Sequence, residues 1–429
     1  MWQRHELTWV VMGQLLAFLG GLVAIKIFTN MMGPEGYGQL ALGVAIAGLV
    51  NMFVYGPLGQ TVSRFFSVYR ERGELGVYFF ALKKTHFISG LFLSLCAGVM
   101  GVFAHLWFGA DWGLLVAAAI LFGIVSGYNS SFLFLHGAVR QRKNVALHQA
   151  AEAWLRPALG VLALIFLSNS APVAFLGFIT GTLLVVMSQW LHSIRIGSIR
   201  SHWDAGLPDS VSQKAASREF TSFAGPLSIF AAFTAVSVYA DRWVLQGLFG
   251  VNEVGIYVAL YQIGNAPIAL LYNSVIRFVE PIIFARAGAM TSGAQAANAN
   301  KLLYKVIVLF SIPMIPIVLA AYFFGEPIVR IMTNTTFSEH AGVLWVMAIG
   351  LCLFYMGQLL TTKGMNHHRP GIYIIPKAVQ ACSFLFFTYF LAKFYGLTGV
   401  AVAICLSSSL YVVMVILVNG RLQMLAEAA

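Results

Sequence analysis

Polar and charged side chains recur along one face of a predicted apolar helix in the second half of the chain. They are Gln262, Asn265, Asn273, Arg277 and Glu280. With the roughly 100° step of an α-helix, all five fall within about 120° of arc. Lipid cannot satisfy hydrogen-bonding groups, so this face must line a polar cavity or contact protein. A guanidinium on such a face can bind phosphate or carboxylate oxygens through paired, charge-assisted hydrogen bonds.

The first half of the chain carries a similar stripe, formed by Gln149, Glu152 and Arg156 on its fifth apolar segment. Arg156 lies near the middle of that segment and is followed by Pro157, which interrupts the helical hydrogen-bond ladder. An ionised group at bilayer depth costs at least about 2.5–3.5 kcal/mol on insertion scales. Each such residue therefore requires a partner, a hydrated cavity or a function.

Other intramembrane polar groups are more isolated. Gln60 and Arg64 share one face of the second segment, and Lys377 lies in the eleventh. Asp241 in the seventh segment is a candidate proton or cation site, although the neighbouring Arg242 points in another direction around the helix. Arg242 lies near the outer end of its segment, where a long side chain can reach the membrane interface.

Two interpretations of these charges stay open. Glu152 with Arg156, and Arg277 with Glu280, have the spacing of ion pairs within one helix, so they can be structural. Arg64 has no such local partner, which favours a function. The predicted substrate-binding residues are Arg64, Arg156, Arg277, Lys377, Glu152, Glu280, Gln60, Gln149, Gln262, Asn265 and Asn273. Asp241 is the predicted coupling-ion residue, and no catalytic or metal-binding residue is predicted.

The composition requires that these residues be held by membrane-spanning helices. Hydrophobic residues make up 59% of the chain, charged residues only 10%, and the mean hydropathy is +0.81, which excludes an ordinary soluble domain. Apolar runs long enough to cross a bilayer recur throughout. They predict an all-α integral membrane protein with about twelve spans: 8–29, 39–68, 82–107, 113–136, 145–167, 171–194, 219–248, 255–286, 301–324, 339–361, 372–393 and 397–419.

The two halves of the chain repeat each other. The segment Gly33–Gly38 follows one long apolar run and opens the next, and Gly250–Gly255 does the same in the second half. We therefore predict two pseudo-symmetric six-helix bundles, at residues 1–194 and 219–429, joined by a cytoplasmic linker at 195–218. A membrane protein made of two repeats is typical of transporters that rock about a central site. Transport is thus favoured over catalysis.

The charge distribution predicts the orientation. Nearly all Lys and Arg outside the spans lie on one side of the predicted membrane, with only Arg330 and Lys393 on the other, so both termini are expected in the cytoplasm. The net charge of +11 then reflects topology and lipid contact, not nucleic-acid binding. The four cysteines have no pairing or metal-ligand spacing, and no Walker loop or HExxH helix occurs, so no cofactor is predicted.

Two short motifs resemble a known family. Lys26-Ile27-Phe28, followed by the turn from Met32 to Gly38, is similar to the opening of polysaccharide transporters in the multidrug/oligosaccharidyl-lipid/polysaccharide (MOP) exporter superfamily. Asp241-Arg242-Trp243, followed by Gly250 and the segment Glu253–Tyr257, resembles the same element in the second half. The closest resemblance is to the Wzx-type flippases of O-antigen and exopolysaccharide.

The resemblance implies a V-shaped transporter that alternates between inward-open and outward-open states in the bacterial inner membrane. Its cargo would be an undecaprenyl-pyrophosphate-linked oligosaccharide of lipopolysaccharide or a related glycan, moved from the cytoplasmic to the periplasmic leaflet. Implied partners are the phospholipid bilayer, a glycan polymerase and chain-length-control proteins.

Two alternatives remain beside the flippase. An ion-coupled multidrug exporter of the same superfamily would require cavity carboxylates for organic cations, whereas intramembrane Lys and Arg outnumber Asp and Glu here. A membrane glycosyltransferase or polymerase would require a larger outward loop or carboxylates clustered at one membrane face, and the sequence shows neither.

Overall fold

The computed structural model describes residues 4–195, 209–287, 293–366 and 370–427, which form helices and no β-strand. The helices up to the middle of the chain are α1 Arg4–Val50, α2 Gly56–Glu71, α3 Leu75–Phe108, α4 Ala110–Ala138, α5 Arg142–Phe166, α6 Ala171–Ser193 and α7 Ser210–Phe249. The remainder are α8 Val251–Ala287, α9 Gly293–Met332, α10 Thr335–Ser338, α11 Leu344–Leu360, α12 Thr362–Asn366 and α13 Ile374–Glu427.

The repeated turn has the same backbone feature in both halves. Gly33 has a φ of 65° and breaks α1, and Gly250 has a φ of 88° and separates α7 from α8. These φ values lie in the left-handed region, where a side chain is strained and glycine is not. At both copies of the sequence motif, therefore, a glycine ends one helix and the next helix begins.

The helices account for the twelve predicted spans. Eight helical stretches of the described chain are long and apolar enough to cross a membrane, and a bent pair within α7 makes a ninth. Two of the eight contain two spans each, because Gly33 breaks the first and Gly396, with a φ of 56°, breaks α13. α5 is the remaining span; its Glu152 and Arg156 lower its hydropathy. The all-α membrane fold is confirmed.

The chain divides into two compact units, Met1–Ala235 and Val236–Ala429. This division falls within α7, further along the chain than the predicted limits at 194 and 219. Part of the predicted linker is helical, because α7 begins at Ser210, while residues 196–208 lie outside the described chain. Asp209 accepts hydrogen bonds from the backbone N–H groups of Val211 and Ser212. Hydrogen bonds from Ser212 hold the pKa of the Asp209 carboxyl below its usual value.

Aromatic packing explains why the start of α7 belongs to the first unit. Phe220 on α7 stacks on Phe65 of α2 at a centroid distance of 5.4 Å and meets Tyr78 of α3 edge-on at 5.8 Å. Tyr69 of α2 donates a hydrogen bond of 2.7 Å to Glu219. These rings are buried in one core cluster. The predicted second domain, by contrast, begins at residue 219.

Glycines allow α5 and α6 to pack closely beside the polar stripe of α5. A Cβ atom placed at Gly177 on α6 would lie 2.2 Å from the Leu159 carbonyl oxygen and 2.5 Å from the Gly160 Cα. Both are backbone atoms, which cannot move without separating the helices. Small residues at such crossings are characteristic of packing between membrane helices.

Gly177→Ala is expected to destabilise the first unit by about 1–3 kcal/mol, since overpacking forces backbone shifts of this cost. The measurement is the thermal unfolding of the purified protein in detergent. Gly98→Ala on α3 is the matched control, because nothing lies within 4 Å of the added methyl group there. Equal thermal stability of the two variants would contradict the close approach of α5 and α6.

Candidate functional site

One predicted stripe lies on α2, which has an apolar and a polar side. Val62, Phe65 and Phe66 are buried, whereas Gln60 and Arg64 are exposed together with Ser63 and Ser67. This helix begins at Gly56 and Pro57, after a π-helical turn at Asn51–Tyr55. A polar face at membrane depth requires a hydrated surface, since lipid cannot solvate it. Gln60 and Arg64 are thus presented on one open face.

The stripe on α5 joins a network that crosses three helices. The Glu152 carboxylate accepts a 2.6 Å hydrogen bond from the Asn129 amide on α4. The Asn129 carbonyl oxygen in turn accepts a short hydrogen bond from the Gln189 amide on α6. Asn129 and Gln189 are buried, while Glu152 is partly exposed. The carboxylate is therefore positioned by amides from neighbouring helices.

Arg156 is only loosely paired with Glu152. The closest nitrogen–oxygen distance is 3.9 Å, beyond hydrogen-bond range, and 41% of the Arg156 side chain is exposed. The guanidinium lies 5.8 Å from the ring centroids of both Phe122 on α4 and Phe178 on α6. These rings attract the cation without using its N–H donors. Arg156 thus forms a long ion pair with Glu152, and its N–H donors remain available to an anionic ligand.

A cluster of three histidines lies beside the Glu152 network. The rings of His136 on α4, His148 on α5 and His192 on α6 are separated by centroid distances of 5.5 to 6.5 Å. His136 lies 3.4 Å from the hydroxyl of Ser193, and His148 lies 3.1 Å from that of Ser188. The cluster and the Glu152 network occupy successive turns of the same three helices.

The sequence reading missed Asn129, Gln189 and two of the three histidines. Each is a single polar residue in an apolar helix, so none forms a stripe of its own. His148 lies one helical turn before Glu152. The available signal is that Gln189, His192 and Ser193 share the last turns of one apolar span. Gln149, a predicted substrate-binding residue, accepts a 3.5 Å hydrogen bond through its side-chain oxygen from the amide nitrogen of Gln14 on α1.

The stripe on α8 is described only in part. Asn265 accepts a 3.0 Å hydrogen bond from the Tyr355 hydroxyl on α11, and Asn273 is exposed. Gln262 is partly exposed on the same helix. The side chains of Arg277 and Glu280 lie outside the described part of the structure, so their predicted roles stay predictions.

Lys377 is enclosed within the second unit, only 3% exposed. Its ammonium group donates a 2.8 Å hydrogen bond to Gln380 and lies 4.7 Å from the Phe354 ring centroid and 5.4 Å from that of Tyr411. The sequence analysis predicts that Lys377 contacts the substrate. In the structure its immediate contacts are protein groups.

Asp241 is also sealed within the second unit, at 2% exposure. One carboxylate oxygen accepts a 2.8 Å hydrogen bond from the Arg242 backbone N–H, and the other accepts a short hydrogen bond from the Tyr257 hydroxyl on α8. Arg242 was expected to reach the interface. Instead it is 7% exposed, with its guanidinium 5.0 Å from the Tyr239 ring centroid.

A guanidinium with uncommitted N–H donors is chemically suited to phosphate and carboxylate oxygens. In each unit a cation lies against two aromatic rings, and in the first unit the cation is open to solvent. Among the described residues, no group of three or more His, Cys, Asp or Glu side chains is arranged to hold a metal ion.

A comparison with protein families finds a match over most of the chain. A sequence model of the family described as polysaccharide biosynthesis protein matches residues 4–286, which include α1 to α8 and the stripe on α5. No curated protein sequence matches the chain.

Solved structures share the fold at low identity. An inward-facing multidrug resistance MATE transporter of the MOP superfamily is 12% identical, with a TM-score of 0.69 over 98% of this chain and 95% of that one. Lipid II flippase MurJ in an inward closed conformation is 14% identical, with a TM-score of 0.66 over 95% and 86%. A MOP transporter from Pyrococcus furiosus, described as having a binding pocket of reverse polarity, is 12% identical, with a TM-score of 0.62 over 98% and 95%.

Proposed function

The chain belongs to the polysaccharide biosynthesis protein family, and we propose that it flips a lipid-linked oligosaccharide across a membrane by alternating access. The cargo is an undecaprenyl-pyrophosphate-linked glycan, moved from the cytoplasmic to the periplasmic leaflet. The observation that carries this proposal is Arg156, a half-exposed guanidinium on a membrane helix whose nearest carboxylate is 3.9 Å away. Such a cation suits a pyrophosphate better than an organic cation.

Arg156 and Arg64 are the proposed phosphate-binding residues of the first unit. Arg156 is held over Phe122 and Phe178, two buried rings that position its guanidinium. Gln60, exposed on the face of Arg64, supplies amide groups for hydroxyls. Arg277 remains a proposed third phosphate contact on the basis of its sequence position alone.

The proposed location is the bacterial inner membrane, with both termini in the cytoplasm. Support comes from the Lys and Arg residues, which concentrate on the side of the α2–α3 and α4–α5 connections, at Arg70, Arg72, Arg140 and Arg142. A glycan polymerase, whose substrate would be the flipped repeat unit, and chain-length-control proteins are the proposed partners.

Asp241 is the proposed coupling-ion site. Its carboxylate is buried at membrane depth and held by a backbone N–H and a tyrosine hydroxyl. An ionisable residue in this environment is expensive to bury and marks ion pathways in transporters.

The test is a flipping assay in proteoliposomes that contain the purified protein and an undecaprenyl-pyrophosphate-linked oligosaccharide. A membrane-impermeant glycosidase reaches only the outer leaflet, so the protein is expected to make the inner-leaflet glycolipid accessible as well. Uptake of a lipophilic organic cation into the same vesicles is measured in parallel. Movement of the organic cation without movement of the glycolipid would establish the exporter and reject the flippase.

A further inference from the structure

The first unit contains an open groove, and none of the residues assigned to the cargo lines it. Its volume is about 620 Å³, and α3, α4 and α6 line it. Most of the lining is apolar, including Phe87, Phe132, Leu183 and Met187. Phe87 and Met187 are 67% and 55% exposed, so the groove is open along its rim.

The floor of the groove presents little free hydrogen-bonding capacity. The two ring nitrogens of His86 lie 2.9 Å from the Leu82 carbonyl oxygen and 2.7 Å from the Ser131 hydroxyl. The Tyr128 hydroxyl donates to the His86 carbonyl oxygen at 2.9 Å. These polar groups are bonded to one another, so an occupant meets mainly carbon surface. A sugar would gain few hydrogen bonds here, whereas a hydrocarbon chain suits the surface.

One end of the groove is marked by a cation and an indole. Lys83 lies in the early turns of α3, and Trp190 in the last turn of α6. Trp residues favour the membrane interface, and basic groups between helices bind lipid headgroups. From Trp190 the groove extends to Leu183, about 10 Å along the helix axis. That length fits within one leaflet, which is roughly 15 Å of hydrocarbon.

We propose that this groove is a binding site for an anionic phospholipid of the bilayer. One acyl chain lies between α3 and α6 over α4, and the phosphate is bound by Lys83. The occupant is a lipid because the rim belongs to membrane-spanning helices. It is anionic because the charged group at the headgroup end is a lysine. This proposal is independent of the cargo and of the direction of transport.

The neighbouring lysine provides a matched control. Lys84 does not line the groove, and its ammonium lies 5.9 Å from the Phe80 ring centroid. Leu183 and Leu184 form a second matched pair on α6. Both are exposed leucines, but only Leu183 lines the groove.

The experiment uses the full chain in phosphatidylcholine nanodiscs with a trace of phosphatidylglycerol that carries a photoreactive diazirine near the end of one acyl chain. After irradiation, mass spectrometry maps the adducts. We expect adducts on α3 and α6 around Phe87 and Met187, displaced by unlabelled phosphatidylglycerol in preference to phosphatidylcholine. Lys83→Gln is expected to reduce that preference about five-fold, the equivalent of about 1 kcal/mol for one lysine, and Lys84→Gln to reduce it less.

Leu183→Trp fills the groove and is expected to remove the adducts, while Leu184→Trp leaves them. Gel filtration of each variant confirms that it is folded. Three results would overturn the proposal: adducts spread evenly over the lipid-exposed helices, equal effects of Lys83→Gln and Lys84→Gln, or displacement of the probe by a polyprenyl phosphate in preference to phosphatidylglycerol. The last result would assign the groove to the tail of the cargo.

Discussion

Arg156→Ala is expected to reduce glycolipid flipping about 10- to 100-fold while leaving membrane insertion and abundance unchanged. The guanidinium is half-exposed and lies beyond hydrogen-bond distance of Glu152, so its removal deprives a phosphate of its partner more than it disrupts the fold. Hydrogen bonds to charged groups contribute about 1.5–3 kcal/mol, which corresponds to this range of rates. The measurement is the glycosidase-accessibility rate in proteoliposomes at matched protein content.

Arg156→Lys is expected to retain part of the activity, because it keeps the charge but not the paired donors. Arg330→Ala is the matched control. Arg330 also pairs with a glutamate four residues away, Glu326, but that pair is exposed near the end of α9. The Arg330→Ala variant should flip the glycolipid at the wild-type rate. Wild-type flipping by Arg156→Ala would show that Arg156 is structural, as the spacing of Glu152 and Arg156 also allowed.

Asp241→Asn is expected to abolish the response of flipping to an imposed ion gradient. Asparagine has nearly the same shape as aspartate, and its carbonyl oxygen can still accept the Arg242 backbone N–H. It cannot, however, alternate between a charged and a neutral form or neutralise a bound cation. The substitution therefore removes the coupling chemistry with little change in packing. Flipping is measured under inward and outward gradients of protons and of sodium, each at zero membrane potential.

Tyr257→Phe is the control that distinguishes a coupling role of Asp241 from a structural role. It removes the hydroxyl that donates to Asp241 but leaves the carboxylate in place. The response to the gradient should persist in this variant, even if the rate changes. A wild-type response to both gradients in Asp241→Asn would assign Asp241 a purely structural role.

The sequence by itself determined the class of fold and its repeat. Apolar runs of bilayer length predict spanning helices, because every backbone polar group in lipid must be satisfied within its own segment. The repeated motif in the sequence was recognisable because glycine is favoured at the left-handed turns of Gly33 and Gly250, where other residues are strained. Those requirements are local, so the residues themselves reveal them.

The partners of each charged residue were decided only by tertiary structure. Helical spacing allowed Glu152 to pair with Arg156, yet the closer partner of the carboxylate is Asn129 on another helix. Lys377 and Asp241 were equally visible in the sequence, but the rings and hydroxyl that enclose them come from distant segments. Periodicity specifies which face of a helix a residue occupies. Whether that face meets a cavity, an aromatic ring or an amide depends on the packing of the other helices.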